Sequence, residues 1–303
     1  MLFHHWQIEI GEPAVAGRLQ VFPLYCPDLV PVDYELSADA VRARTVVVSE
    51  ISAAGCVPEL RVRNEGKRRV LFVEGEQLIG AKQNRVLNTS VLVPAMSELT
   101  LPVSCVEHGR WQRSSPHFEC SPFGSSSKVR STLKRSVTES VQRSQGHRSD
   151  QTRIWSDIAM QQVSLGLHSL SAAMEDSYVA HGDYLQEVRG QLPYVEGAQG
   201  VLVETVGEML VWDLFDRAET CRRVWDRLVW AAAIDELAPV QAKPKPWHMQ
   251  EILRGRLDRL KDLAWSPAKP VGEGEELRAV GDGSAASLLL LGGMLVHGSA
   301  VIS

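Results

Sequence analysis

The sequence predicts an α+β protein. Its framework is mainly antiparallel β, a sandwich or curled sheet, with an inserted helical segment and C-terminal strands. Three observations predict this. Short alternating or β-branched runs, punctuated by Gly, Pro and Asn, fill the chain up to residue 106. From Lys128 to Leu192 the apolar residues recur at helical spacing instead. Beta patterning then returns at Gly200 and dominates from Leu277 to Ile302.

The elements follow in order. Trp6, Ile8 and Ile10 alternate with polar residues, and Arg18 to Leu24 resumes the pattern after Gly11-Glu12-Pro13, so both read as strands. Pro23, Pro27 and Pro31 punctuate a loop, and Ser37 is placed to cap a short helix through Arg42, ahead of a strand at Thr45 to Val48. Pro58 to Arg63 and Arg69 to Val73 flank Asn64-Glu65-Gly66-Lys67 as a hairpin. A second hairpin pairs Val86–Val93 with Leu99–Val106 across Pro94 to Glu98, and Pro102, lacking an amide hydrogen, marks an edge strand or a bulge.

After Trp111 comes a loop to Ser127. A helix then carries Val129, Leu133, Val137 and Val141 on a thin apolar stripe, and Gly146 ends it. Ser149 can cap the next helix, with Asp150 in its first turn. Leu167–Tyr178 and His181–Leu192 read as two more. Val201–Val206 and Met209–Leu214 form a hairpin about Gly207-Glu208, and Asp216 with Glu219 resembles a capping box for a helix through Leu237. Gln241 to Pro246 is a linker, followed by an amphipathic helix with Met249, Ile252, Leu253, Leu257 and Leu260 inward. The last strands turn at Gly292-Gly293. Residues 1–111 thus make a β-rich part, 112–193 a loop and helical segment, and 194–303 an α+β part expected to pack with 1–111 as one compact unit.

With 303 residues, 44% hydrophobic and 23% charged, the chain has the profile of an ordinary soluble globular protein. Its net charge of −5 excludes a general polyanion binder. The first residues lack the basic and apolar regions of a secretory signal, and no apolar run approaches the ~20 residues of a membrane span. Five widely spaced cysteines suit a reducing cytoplasm.

Chemistry concentrates where the chain doubles back near Met96. Lys82-Gln83-Asn84-Arg85 then lies beside Glu107-His108-Gly109-Arg110-Trp111. Three cations, two amides, a carboxylate, an imidazole and an indole converge, with donors in excess. That suits an anionic, hydrogen-bonding ligand such as a phosphate-bearing nucleotide. The alternative is a solvated sheet end with scattered ion pairs.

The same residues carry a resemblance. EGEQLIGAKQNRVLN followed by VLVPAMSELTLPVSCVEHGRW is similar to the signature of a bacterial and phage family named for association with ADP-ribosylglycohydrolases and rhodanese-phosphatases. The likeness extends to GRLQVFPL, VPELRVRNEG, SDQTRIW and the WDLFD segment. It implies a role in handling NAD-derived ADP-ribose compounds and brings no catalytic residues with it.

Other chemistry is thinner. There is no Walker loop, Rossmann fingerprint, HExxH or nucleophile elbow. Cys105-x2-His108 with His117-x2-Cys120 has zinc-like spacing, although in a strand Cys105 and His108 face opposite ways, and a buried cysteine reads as well. Glu74 and Glu76 could chelate a divalent metal with Glu107, or pair with Lys82, Arg85 and Arg110. Asp213 and Asp216 read as paired carboxylates for acid–base or metal work, or as a cap and a surface residue. Between Ser126 and Arg148 six cations face Glu139 alone. That stretch is either a solvated basic face or a lid over ligand phosphates, and its lack of interleaved aromatics weighs against nucleic acid.

The leading expectation is a binder of an ADP-ribose-like or NAD-derived nucleotide. Lys82, Arg85 and Arg110 hold phosphates, Gln83 and Asn84 meet ribose or base edges, His108 joins them, and Trp111 stacks. If it is an enzyme, Glu107 is the first acid–base candidate and Glu76 the second, in hydrolysis or transfer at a glycosidic or phosphate bond. The competing expectation is a non-catalytic partner or scaffold for an ADP-ribosylglycohydrolase or phosphatase, docking through the basic helix and the tryptophan-rich C-terminal half. A zinc-stabilised module is the third.

Overall fold

The structure, a computed structural model, describes residues 6–205, 209–238, 250–281 and 283–302. The first elements are β1 (Glu9–Ile10), β2 (Ala14–Ala16), β3 (Leu19–Tyr25), β4 (Glu35–Leu36), α1 (Ser37–Arg42), β5 (Val46–Glu50) and β6 (Glu59–Asn64). Next come β7 (Val70–Phe72), β8 (Glu76–Gly80), β9 (Arg85–Leu87), β10 (Val91–Val93), β11 (Ser97–Cys105) and β12 (Phe118–Gly124). Four helices follow, α2 (Ser127–Gln142), α3 (Gln151–Ser164), α4 (Met174–Ala180) and α5 (Gly182–Gln191). Then come β13 (Gly200–Thr205), β14 (Leu210–Phe215), α6 (Ala218–Glu236) and α7 (Gln250–Lys261). The last are β15 (Ser266–Ala268), β16 (Glu275–Gly281), β17 (Ser284–Leu291) and β18 (Met294–Ile302). The α+β class with an antiparallel framework is as expected, and among the described strands the parallel pairing is that of β4 with β7.

Compactness divides the chain elsewhere than its changes of character at 111 and 193. One unit joins the residues through Val32 to His181–Ala268 and those from Glu275 on; the other is Asp33–Ala180 plus Lys269–Gly274. In the first unit a single sheet runs β1-β3-β13-β14-β18-β17-β16-β15, with β2 added on β3. Alternate residues of its strands bury one face. Phe22, Leu24, Leu202, Trp212, Leu214, Leu288 and Leu290 meet Leu253, Leu257 and Leu260 of α7 in one core. Gly298 makes room for the indole of Trp212, since a Cβ there would lie 2.8 Å from the ring. The β17–β18 turn falls at Gly292 and Gly293, both at positive φ, as a primed two-residue turn requires. Helix α6 is tied to α5 by Trp230 Nε1, which donates to the Leu185 carbonyl at 2.8 Å. The expected turn at Gly207-Glu208, the linker at 241–246 and Met249 lie outside the described residues.

The second unit is a closed six-stranded barrel, β11-β6-β5-β12-β8-β9, with the small sheet β10-β7-β4 sharing its core. Closure removes sheet edges, which corrects the reading of Pro102. It lies on a barrel strand where β11 passes from pairing with β6 to pairing with β9. Neither expected hairpin of this region forms. Strands β6 and β7 pair with other partners, and the run Val86–Val93 is broken at Asn88-Thr89-Ser90 into β9, on the barrel, and β10, on β7. The stretch Lys269–Gly274 acts as a strap on this unit. Val271 packs into the barrel core, the Glu273 amide donates to the Leu92 carbonyl at 2.9 Å, and Arg69 grips the Glu273 carboxylate with two hydrogen bonds.

Capping departs from expectation in three places. Ser37 lies inside α1 and donates its hydroxyl to Glu76 at 2.5 Å, Asp150 rather than Ser149 caps α3, and Asp216 accepts the Val32 amide instead of capping α6. Residues 167–173 precede α4 rather than continuing a helix. No helix among the described residues is long and apolar enough to cross a membrane.

Candidate functional site

The turn after β8 and the end of β11 come together at one end of the barrel. Arg85 pairs with Cys105, the Val106 amide donates to the Asn84 carbonyl, and the Asn84 amide donates to Glu107 Oε2 at 2.8 Å. The doubling back therefore brings the two polar clusters together, through β9 and β11 rather than through one continuous hairpin. Ala81, at φ 40°, forms the tight corner that carries Lys82 to Asn84.

The gathered side chains do different jobs. Arg110 grips Glu107 with two parallel bonds, Nε to Oε1 at 2.8 Å and Nη2 to Oε2 at 2.6 Å. Its Nη1 donates to the Ala81 and Gln112 carbonyls and to Ser114, and its Nη2 reaches Asn84 Oδ1 at 3.2 Å. Asn84 Oδ1 also accepts the Gly80 amide. Glu107, Arg110 and Asn84 thus form a brace that sews the 80–84 turn to the 107–114 loop. Glu76 sits apart, buried, with one oxygen on Ser37 and the other on the Val73 amide.

Arg85 is the exception. Its side chain is fully buried, and its Nη1 donates to the carbonyl and Oε1 of Gln83, at 3.2 and 3.1 Å. Nε and Nη2 are buried with no hydrogen-bond partner. Burial pushes its pKa below the usual guanidinium value, while Cys105, Glu50 and Glu107 act the other way. A buried donor left unpaired costs about 1–3 kcal/mol, more when charged, so this is an arrangement the fold tolerates rather than benefits from.

Trp111 lies over the group. Its ring centre is 5.8 Å from the Arg85 guanidinium carbon and 5.2 Å from Lys82 Nζ, and it is 45% exposed. Lys82 Nζ also donates to the Ala54 carbonyl at 2.6 Å. Gly55, at φ 81°, passes beneath both side chains; a Cβ there would lie 3.0 Å from Lys82 and 3.2 Å from Trp111. Beside Arg85 the Cys105 thiol contacts Gln83 Oε1 at 3.2 Å and the Glu107 carbonyl at 3.3 Å. Burial raises its pKa, so it stays a thiol. The buried indole nitrogen of Trp155, on α3, lies close enough to favour the ionised form. His108 is exposed and meets Trp155 edge to face.

Sequence reasoning missed two participants, Glu50 and Trp155. Trp155 had a signal in the SDQTRIW segment, where it reads simply as part of a helical face. Glu50, which receives the Lys82 amide at 3.4 Å, had none. The carboxylates proposed as a metal set do not converge. Glu74 pairs with Lys134, Glu76 with Ser37 and Glu107 with Arg110. Among the described residues no three His, Cys, Asp or Glu side chains gather in a metal-binding group. Asp213 meets His297 at 3.0 Å and Asp216 accepts the Val32 amide, and both are fully buried, so neither is the expected surface residue.

The basic stretch is partly interior. Lys134 and Glu74 form a fully buried ion pair at 2.7 Å and Arg130 is buried beside them, while Lys128 and Arg143 are exposed. A model of the ARG and Rhodanese-Phosphatase-superfamily-associated Protein domain matches residues 7–301, and the chain belongs to that family. No curated protein and no solved structure matches it.

Proposed function

We propose, with membership of this family as the premise, that the protein binds an ADP-ribose-like or NAD-derived nucleotide at the loop end of the barrel, with the phosphates on Arg85. The family is named for association with ADP-ribosylglycohydrolase and rhodanese-phosphatase proteins. One observation carries the reading: the buried Arg85 guanidinium holds two N–H-bearing nitrogens without acceptors. A phosphate supplies two oxygens in the matching fork geometry, and such charge-assisted pairs are among the stronger hydrogen bonds in proteins. Trp111 is the movable cover. Its displacement uncovers Arg85 and frees Lys82 for a second phosphate oxygen, with Gln83 beside them.

Glu107, Arg110 and Asn84 hold the two loops in register in this reading, so the role of Arg110 shifts from phosphate contact to brace. Both oxygens of Glu107 and both of Glu76 are engaged by protein donors. Binding rather than turnover is therefore the activity supported. Calorimetry with ADP-ribose, NAD, 1″-phosphorylated ADP-ribose and inorganic pyrophosphate tests it. Heat from at least one, lost in Arg85→Met, is expected, and folded protein that binds none of them removes the reading.

A partner-docking role has one observation in its favour. Met160 and Val163 on α3 are 60% and 81% exposed. Recovery of a glycohydrolase or phosphatase with the protein, lost in Val163→Glu, would support that second reading.

A further inference from the structure

Close to the Arg85 group lies a cavity of about 310 Å³, lined by His108, Trp155, Ser156, Ile158, Ala159 and Ala172. That is at the small end of the ~300–1,000 Å³ range of ligand pockets, room for one ring system rather than a whole dinucleotide. Its lining holds no Lys, Arg, Asp or Glu, and apart from the Ser156 hydroxyl and the imidazole it is hydrocarbon and indole. It is therefore unsuited to a phosphate.

The shape is specific. The His108 and Trp155 rings have centroids 4.4 Å apart and planes 76° apart, an aromatic corner. A third flat ring laid on the face of one turns its edge to the face of the other, so it makes an offset stack and an edge-to-face contact together, the two arrangements aromatic quadrupoles favour. The corner also adjoins the anion group. His108 follows Glu107 in the chain, and the Trp155 indole nitrogen borders the Cys105 thiol, which in turn contacts Gln83 beside Arg85. The cavity thus adjoins, through His108 and Trp155, the residues that flank Arg85.

We infer that this cavity seats an uncharged heteroaromatic base, the ring end of a nucleotide whose phosphates lie at Arg85. The inference rests on the reading of Arg85 above. Ala159 is exposed on α3, so Ala159→Phe fills the cavity without burdening the core; His108→Ala opens the corner from the other side.

The test is calorimetry with inorganic pyrophosphate, adenosine and ADP-ribose. Base stacking predicts that ADP-ribose binds about tenfold or more tighter than pyrophosphate. Both variants should erase that advantage and leave pyrophosphate binding unchanged. Pyrophosphate binding with no gain from the base, or variants that bind ADP-ribose like the parent, overturns the cavity assignment and leaves Arg85 standing. Adenosine binding that Ala159→Phe abolishes, with no response to pyrophosphate, does the reverse. Binding of none of the three overturns both.

Discussion

Replacing Arg85 by methionine should leave the protein about as stable as before, or more so, while removing its ligand. The substitution deletes two unpaired buried nitrogens, Nε and Nη2, which at about 1–3 kcal/mol each represent a penalty of about 2–6 kcal/mol. It also loses the Nη1 bonds to Gln83 and the Asn84 carbonyl, long charge-assisted contacts shared by one nitrogen and contributing together about 2–3 kcal/mol. Methionine fills much of the same volume and adapts to irregular space. The balance lies between about 1 kcal/mol of destabilisation and about 4 kcal/mol of stabilisation. At about 2–4 °C per kcal/mol, that means a Tm between about 4 °C lower and about 16 °C higher. Thermal unfolding of the variant, with pyrophosphate calorimetry beside it, makes the measurement. Arg110→Met is the control. It strands the Glu107 carboxylate, 4% exposed, without its guanidinium and should lose about 3–5 kcal/mol. An Arg85→Met protein destabilised by more than about 3 kcal/mol, to the level of Arg110→Met, would show Arg85 to be a structural arginine and refute the reasoning.

The remaining predictions concern the cover, the buried pair, the strap and the thiols. Wild-type tryptophan emission should change on adding pyrophosphate, and Trp111→Phe should abolish the change; an equal response in the variant would show that the indole stays put. Lys134→Met should cost about 3–5 kcal/mol in urea titration by taking from the buried Glu74 carboxylate the cation that faces it, and adding Glu74→Leu should restore most of it. The Arg69 hydrogen bond, ahead of its charge, holds the Glu273 carboxyl below the usual value of 4.5. That contribution is present above the unfolded pKa and lost as pH falls through the lower folded one, so Glu273→Gln should flatten this part of the acid limb of a Tm–pH curve. The gain is modest because the pair is one-third exposed. Finally, in native protein Cys56 and Cys120, half-buried, should alkylate, whereas Cys105, Cys221 and Cys26 should not. Burial raises all three of the latter, Cys26 to about 11; labelling at Cys26 without unfolding would contradict this.

The C-terminal strands were legible because Gly292-Gly293 marks a turn whose chemistry admits little else. The approach of Arg85 to Glu107 was legible for a weaker reason, two polar clusters equidistant from a turn. What the local pattern hid was the route between them. Asn88-Thr89-Ser90 is a visible polar break, yet only the competition between β7 and β11 for the next three residues decides that β10 leaves the barrel. Charge counting misjudged α2 for the same reason. Arg130 and Lys134 ride one residue past Val129 and Leu133, at the rim of the apolar stripe, and Lys134 is interior because Glu74, 60 residues earlier, faces it. At the site, composition showed an excess of donors but not which arginine was already satisfied. A carboxylate three residues from Arg110 was the available hint.

The chain leaves the ribosome in an order that its contacts do not follow. Strand β3, whose residues from Leu19 to Leu24 are all buried, finds its neighbour β13 only after the Asp33–Ala180 barrel unit has been made, and the Cys26–Gln199 bond beside that pairing spans 173 residues. Until then the edge that β3 will share with β13 stays open, with β1 and β2 on its other side, ahead of a barrel able to collapse from nearly contiguous sequence. A nascent protein stalled near residue 190 should therefore present that strand to chaperones, or to the same strand of a neighbouring chain.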